Sequence, residues 1–283
     1  MSTMLRGIVV SDLHCGSIYG LLPPQFKSFD RVSKEQNAGQ AYLWSCWLDF
    51  AARAAEWKPQ FVIVNGDCVD GSQRKNEGSE LSLIAPADQT RAAIECLELL
   101  NHKLRGSKPK YYFTQGTPYH TGNWGAAEEQ IAEALNGEHY HSVGTGDRCR
   151  EVLWLNVGGV MIEAAHHISV STGFYRLTAL DREMQWSAIA GKDEKKGVPK
   201  IDLVIRSHVH YYSKGEHASK QGVTTPCWQL QTRYMRKNST TRMLPDIGGL
   251  KLEIDPAAKQ RGEAPCRVVK ELYHLPSVKV TSL

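Results

Sequence analysis

Short apolar runs alternate with stretches of helical spacing through the first half of the chain. Leu5–Val10 and Phe61–Val64 are nearly continuous apolar segments, the pattern of strands covered on both faces. Tyr111–Phe113 and Ile201–Ile205 read the same way. Between them, Ala38–Trp57, Asp88–Leu104 and about 126–135 are predicted helices; the second places Ala92, Leu97, Leu100 and Leu104 on one face. The first should stop at Lys58-Pro59, because a proline disfavours helix in the residue before it. Val152–Leu155 and Val160–Ile162 flank Gly158-Gly159, which predicts a hairpin. A helix is expected over roughly 173–190, and breakers at Gly215, Gly222, Pro226, Pro245 and Gly248-Gly249 predict hairpins beyond it.

This alternation predicts an α/β fold. No repeat, low-complexity tract or linker divides the 283 residues, so a single domain, 1–283, is expected.

The ends of the runs carry the chemistry. Leu5–Val10 leads to Asp12 and His14, and Phe61–Val64 to Asp67 and Asp70. Tyr111–Phe113 leads to Thr117 and His120, Val160–Ile162 to His166 and His167, and Ile201–Ile205 to His208 and His210. In open α/β sheets, sites assemble beyond the carboxyl ends of strands. Taken singly, each ending has a plainer reading: D-x-H as a surface pair, G-D-x-x-D as a capped turn, a histidine doublet as solvated rings. Their joint recurrence at strand ends favours a metal site. Carboxylate oxygen with imidazole nitrogen and no thiolate suits manganese, iron, zinc or nickel rather than a structural cysteine-zinc knot. Two cations about 3.5–4 Å apart can clamp a phosphoryl group and activate water.

Composition narrows the field only modestly. A net charge of +4 permits an anionic substrate without marking a nucleic-acid-coating protein. Seven cysteines with no C-x-x-C pair argue for reduced thiols and a cytoplasmic setting. MSTMLRGIVV lacks a secretory h-region, and no apolar run is long enough to span a bilayer, so no membrane partner is expected.

The ordered set D-x-H, G-D-x-x-D, a third motif, a histidine, then H-x-H resembles the calcineurin-like metallophosphoesterases over about residues 5–215. The "GTPYH" form of the third motif is closest to the phage and prophage branch. The resemblance implies a four-layer α/β/β/α sandwich with a binuclear site at strand ends, residues 216–283 adding second-sheet strands and a C-terminal extension. It implies two divalent cations, manganese first, then iron, zinc, nickel or magnesium. By position, Asp12, His14 and His210 would hold the first. Asp67 would bridge both, with Asp70 orienting ligands rather than coordinating. His208 and one of His166 and His167 would hold the second. The implied reaction is in-line attack of a metal-bridging hydroxide on phosphorus, with His120 stabilising or protonating the leaving oxygen.

The third motif departs from the family pattern, because Thr117 stands where an asparagine ligand is usual. Thr117 or Asn123 would then complete the second metal. The segment Arg233-Tyr234-Met235-Arg236-Lys237 interleaves cations with an aromatic, and Arg233, Tyr234 and Arg236 become candidate substrate contacts. The expected activity is phosphodiester hydrolysis on nucleic acid or a nucleotide. A phosphomonoesterase or protein phosphatase is the enzymatic alternative, and a non-catalytic metal-binding interaction module is the alternative of another class.

Overall fold

The computed structural model describes residues 4–122, 125–140, 148–169, 175–217, 220–238 and 244–277. The first half runs β1 (Leu5–Val10), a small ribbon of β2 (Phe26–Lys27) and β3 (Ser33–Lys34), α1 (Ala38–Trp57) and β4 (Phe61–Asn65). It continues through α2 (Pro86–Leu104), β5 (Lys110–Thr114), α3 (Pro118–Thr121), α4 (Ala126–Ala134) and β6 (Cys149–Arg150). Next come β7 (Val152–Val157), β8 (Val160–Ala165), α5 (Leu177–Ala190), β9 (Leu203–Arg206), β10 (Ser213–His217) and β11 (Lys220–Thr224). The chain closes with α6 (Arg233–Asn238), β12 (Ile247–Ile254), α7 (Pro256–Gln260) and β13 (Cys266–Tyr273).

These elements form two sheets, ordered β13-β12-β1-β4-β5-β6 and β10-β11-β9-β8-β7. Side-chain alternation along each strand then builds the layers. Ile8, Val10, Val62 and Val64 face a helical layer with Leu43, Trp47 and Phe50 of α1 and Leu97 and Leu100 of α2. Their neighbours Val9, Phe61 and Ile63 turn the other way, onto Ile162, Leu203 and Ile205 of the second sheet. Val204 faces outward again, under Leu180 and Met184 of α5. The result is the four-layer α/β/β/α sandwich. Strands buried on both faces need apolar residues at every position, which is why β1, β4 and β9 show no alternation in sequence.

Local signals account for the element ends. Asn37 and Gln40 form a capping box at the start of α1, and Lys58, at φ +53°, ends it before Pro59. Helix α2 starts at Pro86, two residues before the apolar spacing begins, because proline suits the first helical turn.

The C-terminal region corrects one expectation. Only β10 and β11 join the second sheet; the hairpin β12–β13 pairs through β12 with β1 in the first, antiparallel, Leu5 opposite Ile254. Leu250, Leu252 and Ile254 do face the layer between the sheets, but from the other side. Helix α6 likewise stands where hairpins were expected. All seven cysteines are buried, and none forms a disulfide. Among the described residues, no helix is long and apolar enough to cross a membrane.

Candidate metal centre

Strands β1 and β4 lie side by side and parallel, so their carboxyl ends emerge together. The segments beyond them stay zipped by backbone bonds: Asp12 N–H to Gly66 O, His14 N–H to Asp67 O and Cys15 N–H to Cys68 O, each 3.0 Å. Asn65 ties the neighbouring ends in. It accepts from Thr114 Oγ1 at 2.7 Å and donates to Ser207 Oγ at 2.6 Å and Ala165 O at 3.1 Å. One buried amide thus gathers the ends of β4, β5, β8 and β9.

The gathered side chains form two donor sets with no residue in common, and a third group, His14, Asp70 and His120, overlaps the first at His14. Asp12, His14 and His210 make the first, and Asp67, His166 and His208 the other, with the candidate ligand atoms in each within 4.8 Å of one another. His14 Nε2 faces His210 Nε2 at 3.1 Å. Asp12 Oδ1 lies 3.1 Å from His210 Nε2, 3.9 Å from His14 Nε2 and 3.8 Å from His166 Nε2, so one oxygen faces imidazoles of both sets. His166 donates Nδ1–H to Asn65 O at 2.7 Å, which leaves the lone pair of Nε2 facing the set. That Nε2 lies 2.9 Å from Asp67 Oδ2.

The donor atoms fit a cation. Asp12 Oδ1 and His166 Nε2, which face each other across the two sets at 3.8 Å, are buried without an aligned hydrogen bond. Burial works against charge on Asp12, yet His166 and His210 hold its carboxyl down to about 2. Burial equally opposes charge on His166, and the Asp67 and Asp12 carboxylates lift it to about 9. Burial, then the neighbouring His166, pushes His208 down to about 4. Buried carboxylates require positive partners, and here imidazoles supply the charge that a divalent cation would supply more fully.

The backbone is bent to achieve this. Asp12, His14, Asp67, His208 and His210 have φ of +54°, +45°, +49°, +71° and +58°. Non-glycine residues rarely occupy this left-handed region, and such strain concentrates at functional sites. Gly116 permits the last close approach: a Cβ there would stand 2.3 Å from both Asp67 N and Asp67 Oδ1.

The third motif acts through its turn. Thr117 donates its N–H to Asp67 Oδ1 at 2.6 Å, and its hydroxyl is 3.2 Å from both Asp67 Oδ2 and His208 Nδ1. One turn of α3 then brings His120 over Asp70, where Nδ1 donates to Asp70 O at 2.8 Å and the ring stands edge-on to His14 at 4.7 Å. Asp70 accepts His14 Nδ1–H at 2.9 Å, fixing the tautomer that frees His14 Nε2.

Of the remaining expected residues, His167 is exposed and joins neither set, its ring 4.9 Å from that of His208. Asn123 lies outside the described residues. Arg233, Tyr234 and Arg236 sit on α6, exposed, with Arg233 Nε 3.6 Å from Glu80 and Arg236 bonded to Tyr19 Oη at 2.7 Å. Sequence reasoning missed the amides that hold Asp70. Gln229 Nε2 donates to Asp70 Oδ1 at 3.2 Å, and Gln73 Nε2 donates to Oδ2. Gln89 Oε1 receives Asp70 N–H at 3.2 Å and Gly71 N–H at 2.8 Å. No motif spacing marks these glutamines; only their burial does.

No family model and no curated protein matches the chain. Among solved structures it is similar to vacuolar protein sorting 29 from Cryptosporidium parvum, at 11% identity and TM-score 0.45, covering 95% of this chain and 98% of that one. It is also similar to an archaeal phosphodiesterase, at 10% identity and TM-score 0.41, covering 94% and 100%. A dimetal phosphatase from Danio rerio aligns at 10% identity and TM-score 0.40, covering 88% and 92%. Likenesses this distant carry no weight for the site, which stands on its own geometry.

Proposed function

We propose that this chain is a metal-dependent phosphoesterase acting on a phosphodiester, a nucleic acid or nucleotide. The observation that supports it most is the pair of donor sets facing each other across Asp12 Oδ1. Asp12, His14 and His210 would hold one cation, and Asp67, His166 and His208 the other, with Thr117 Oγ1 beside the second set. The resemblance makes Asp67 the shared carboxylate, and the distances give Asp12 an equal claim. Two divalent cations held there supply Lewis-acid neutralisation of charge on phosphorus and make a water nucleophilic near neutral pH.

The chain's own groups do the rest. Asp70 orients His14, and the Asp70 carbonyl keeps the His120 proton on Nδ1. With Nδ1–H so engaged, the imidazolium form of His120 would offer its Nε2–H to the leaving oxygen, a role typically contributing about 10²–10⁴-fold. Arg233 and Arg236 would meet phosphate oxygens and Tyr234 a base or ring.

Thr117 favours a second reading, a non-catalytic metal-binding module, because a hydroxyl is a weaker neutral ligand than an amide oxygen. Turnover of bis-p-nitrophenyl phosphate and of p-nitrophenyl phosphate, with added manganese and with chelator, separates the two. Manganese-dependent cleavage of the diester in preference to the monoester is expected. Inertness of both esters in protein shown to carry metal would favour the module.

A further inference from the structure

The two glutamines that bond the Asp70 carboxylate each precede a basic segment. Arg74 and Lys75 follow Gln73 directly, while Arg233, Arg236 and Lys237 begin four residues beyond Gln229. Glu80 fastens the segments together. Its N–H donates to Gln73 Oε1 at 3.1 Å, and its carboxylate accepts Arg233 N–H at 3.3 Å.

Aromatic rings lie against these cations. Tyr19, five residues past His14, accepts Leu230 N–H on its carbonyl at 2.8 Å. Its ring lies 5.3 Å from the Arg236 guanidinium, which also bonds its hydroxyl. Tyr119, next to His120, lies 5.8 Å from Lys75 Nζ. Tyr234 is 64% exposed, and α6 buries none of its residues. Against these cations stand Glu77, which is exposed, and Glu80, which is buried and paired with Arg233.

A rim of cations alone would attract any polyanion. Rings interleaved with cations suit bases stacked along a phosphodiester backbone, and a mononucleotide at the centre would leave most of the rim unused. We infer that this rim binds single-stranded nucleic acid, so that the substrate is a strand rather than a mononucleotide. The inference takes its chemistry from the phosphoesterase reading, but strand binding needs no turnover.

The test is fluorescence anisotropy of a labelled twelve-residue oligothymidylate with full-length protein in EDTA. Saturable binding that weakens with added salt is expected. Tyr234→Ala and Arg236→Glu should each weaken it about tenfold, the size of one lost stacking or charge contact. Tyr234→Phe, which keeps the ring face, should bind as the parent does. Lys195→Glu, the same charge change at an exposed turn elsewhere, should alter binding by less than about twofold. Circular dichroism and thermal midpoints establish that each variant is folded. Equal losses from Lys195→Glu and Arg236→Glu, no loss from Tyr234→Ala, or tighter binding of an acidic phosphopeptide would each overturn the inference. Because metal is stripped throughout, this result is independent of whether p-nitrophenyl esters are cleaved.

Discussion

His14 and His210 face each other Nε2 to Nε2 at 3.1 Å although 196 positions separate them in the chain. Two neutral imidazoles so placed can share only one proton, and the arrangement gains most when a cation receives both lone pairs. Asp12 Oδ1 on the same side completes that set, and its reach toward His166 joins it to the other.

Metal content should follow the donor sets. Asp12→Ala and Asp67→Ala are each expected to fall below two divalent ions per chain by elemental analysis, while exposed His167→Ala keeps two. Two ions retained in either aspartate variant would remove that residue from the centre.

Gln229 touches no candidate ligand directly, yet it fixes the carboxylate that sets the His14 tautomer. Gln229→Leu should lower manganese affinity about 10–100-fold, the usual cost of losing an outer partner. Calorimetric titration would show the loss in one binding event of two. Unchanged isotherms would mean that Gln73 alone suffices.

His120→Ala should slow diesters with poor leaving groups far more than p-nitrophenyl diesters, because only the former need a proton on the departing oxygen. Rates measured across leaving groups of graded pKa would show a steeper dependence in the variant. Parallel slopes would assign His120 to binding instead.

Glu128 offers a prediction about stability. It lies buried in the first turn of α4, with Oε1 receiving Cys68 N–H at 3.2 Å and Oε2 without a partner. Burial, reinforced by Asp67, pushes it from 4.5 up to about 8. Between those values the folded state holds a proton that the unfolded chain has released, so stability falls as pH rises, by at most about 1.4 kcal/mol per unit. Glu128→Gln should flatten this part of the profile and gain stability at pH 8. Urea denaturation in EDTA from pH 5 to 8 measures it; identical slopes in the two proteins would refute it.

How much of this was legible in the chain follows from the range over which each signal acts. Helix α1 was readable to its last residue, because a capping box and Lys58-Pro59 are local chemistry. Strands β1 and β4 were readable because burial on both faces demands unbroken apolar runs. Asp12, His14, Asp67, His166, His208 and His210 announced themselves by ending such runs. The sequence by itself therefore determined the long helices and the doubly buried strands, though not α6, and the inventory of candidate donor groups.

Tertiary structure alone decided the rest. Leu250, Leu252 and Ile254 alternate just as a strand of either sheet would, since both sheets present a face to the same apolar layer; only pairing with β1 assigns them to the first. That His166 and not His167 falls within a donor set depends on the hydrogen bond from its Nδ1 to Asn65, and the contacts of Asn65, Gln73 and Gln229 needed partners up to 159 positions away. Propensity and pattern act over a few neighbouring residues, whereas a site gathered from many strand ends is set by which strands lie side by side, and that register is fixed only when the layers pack.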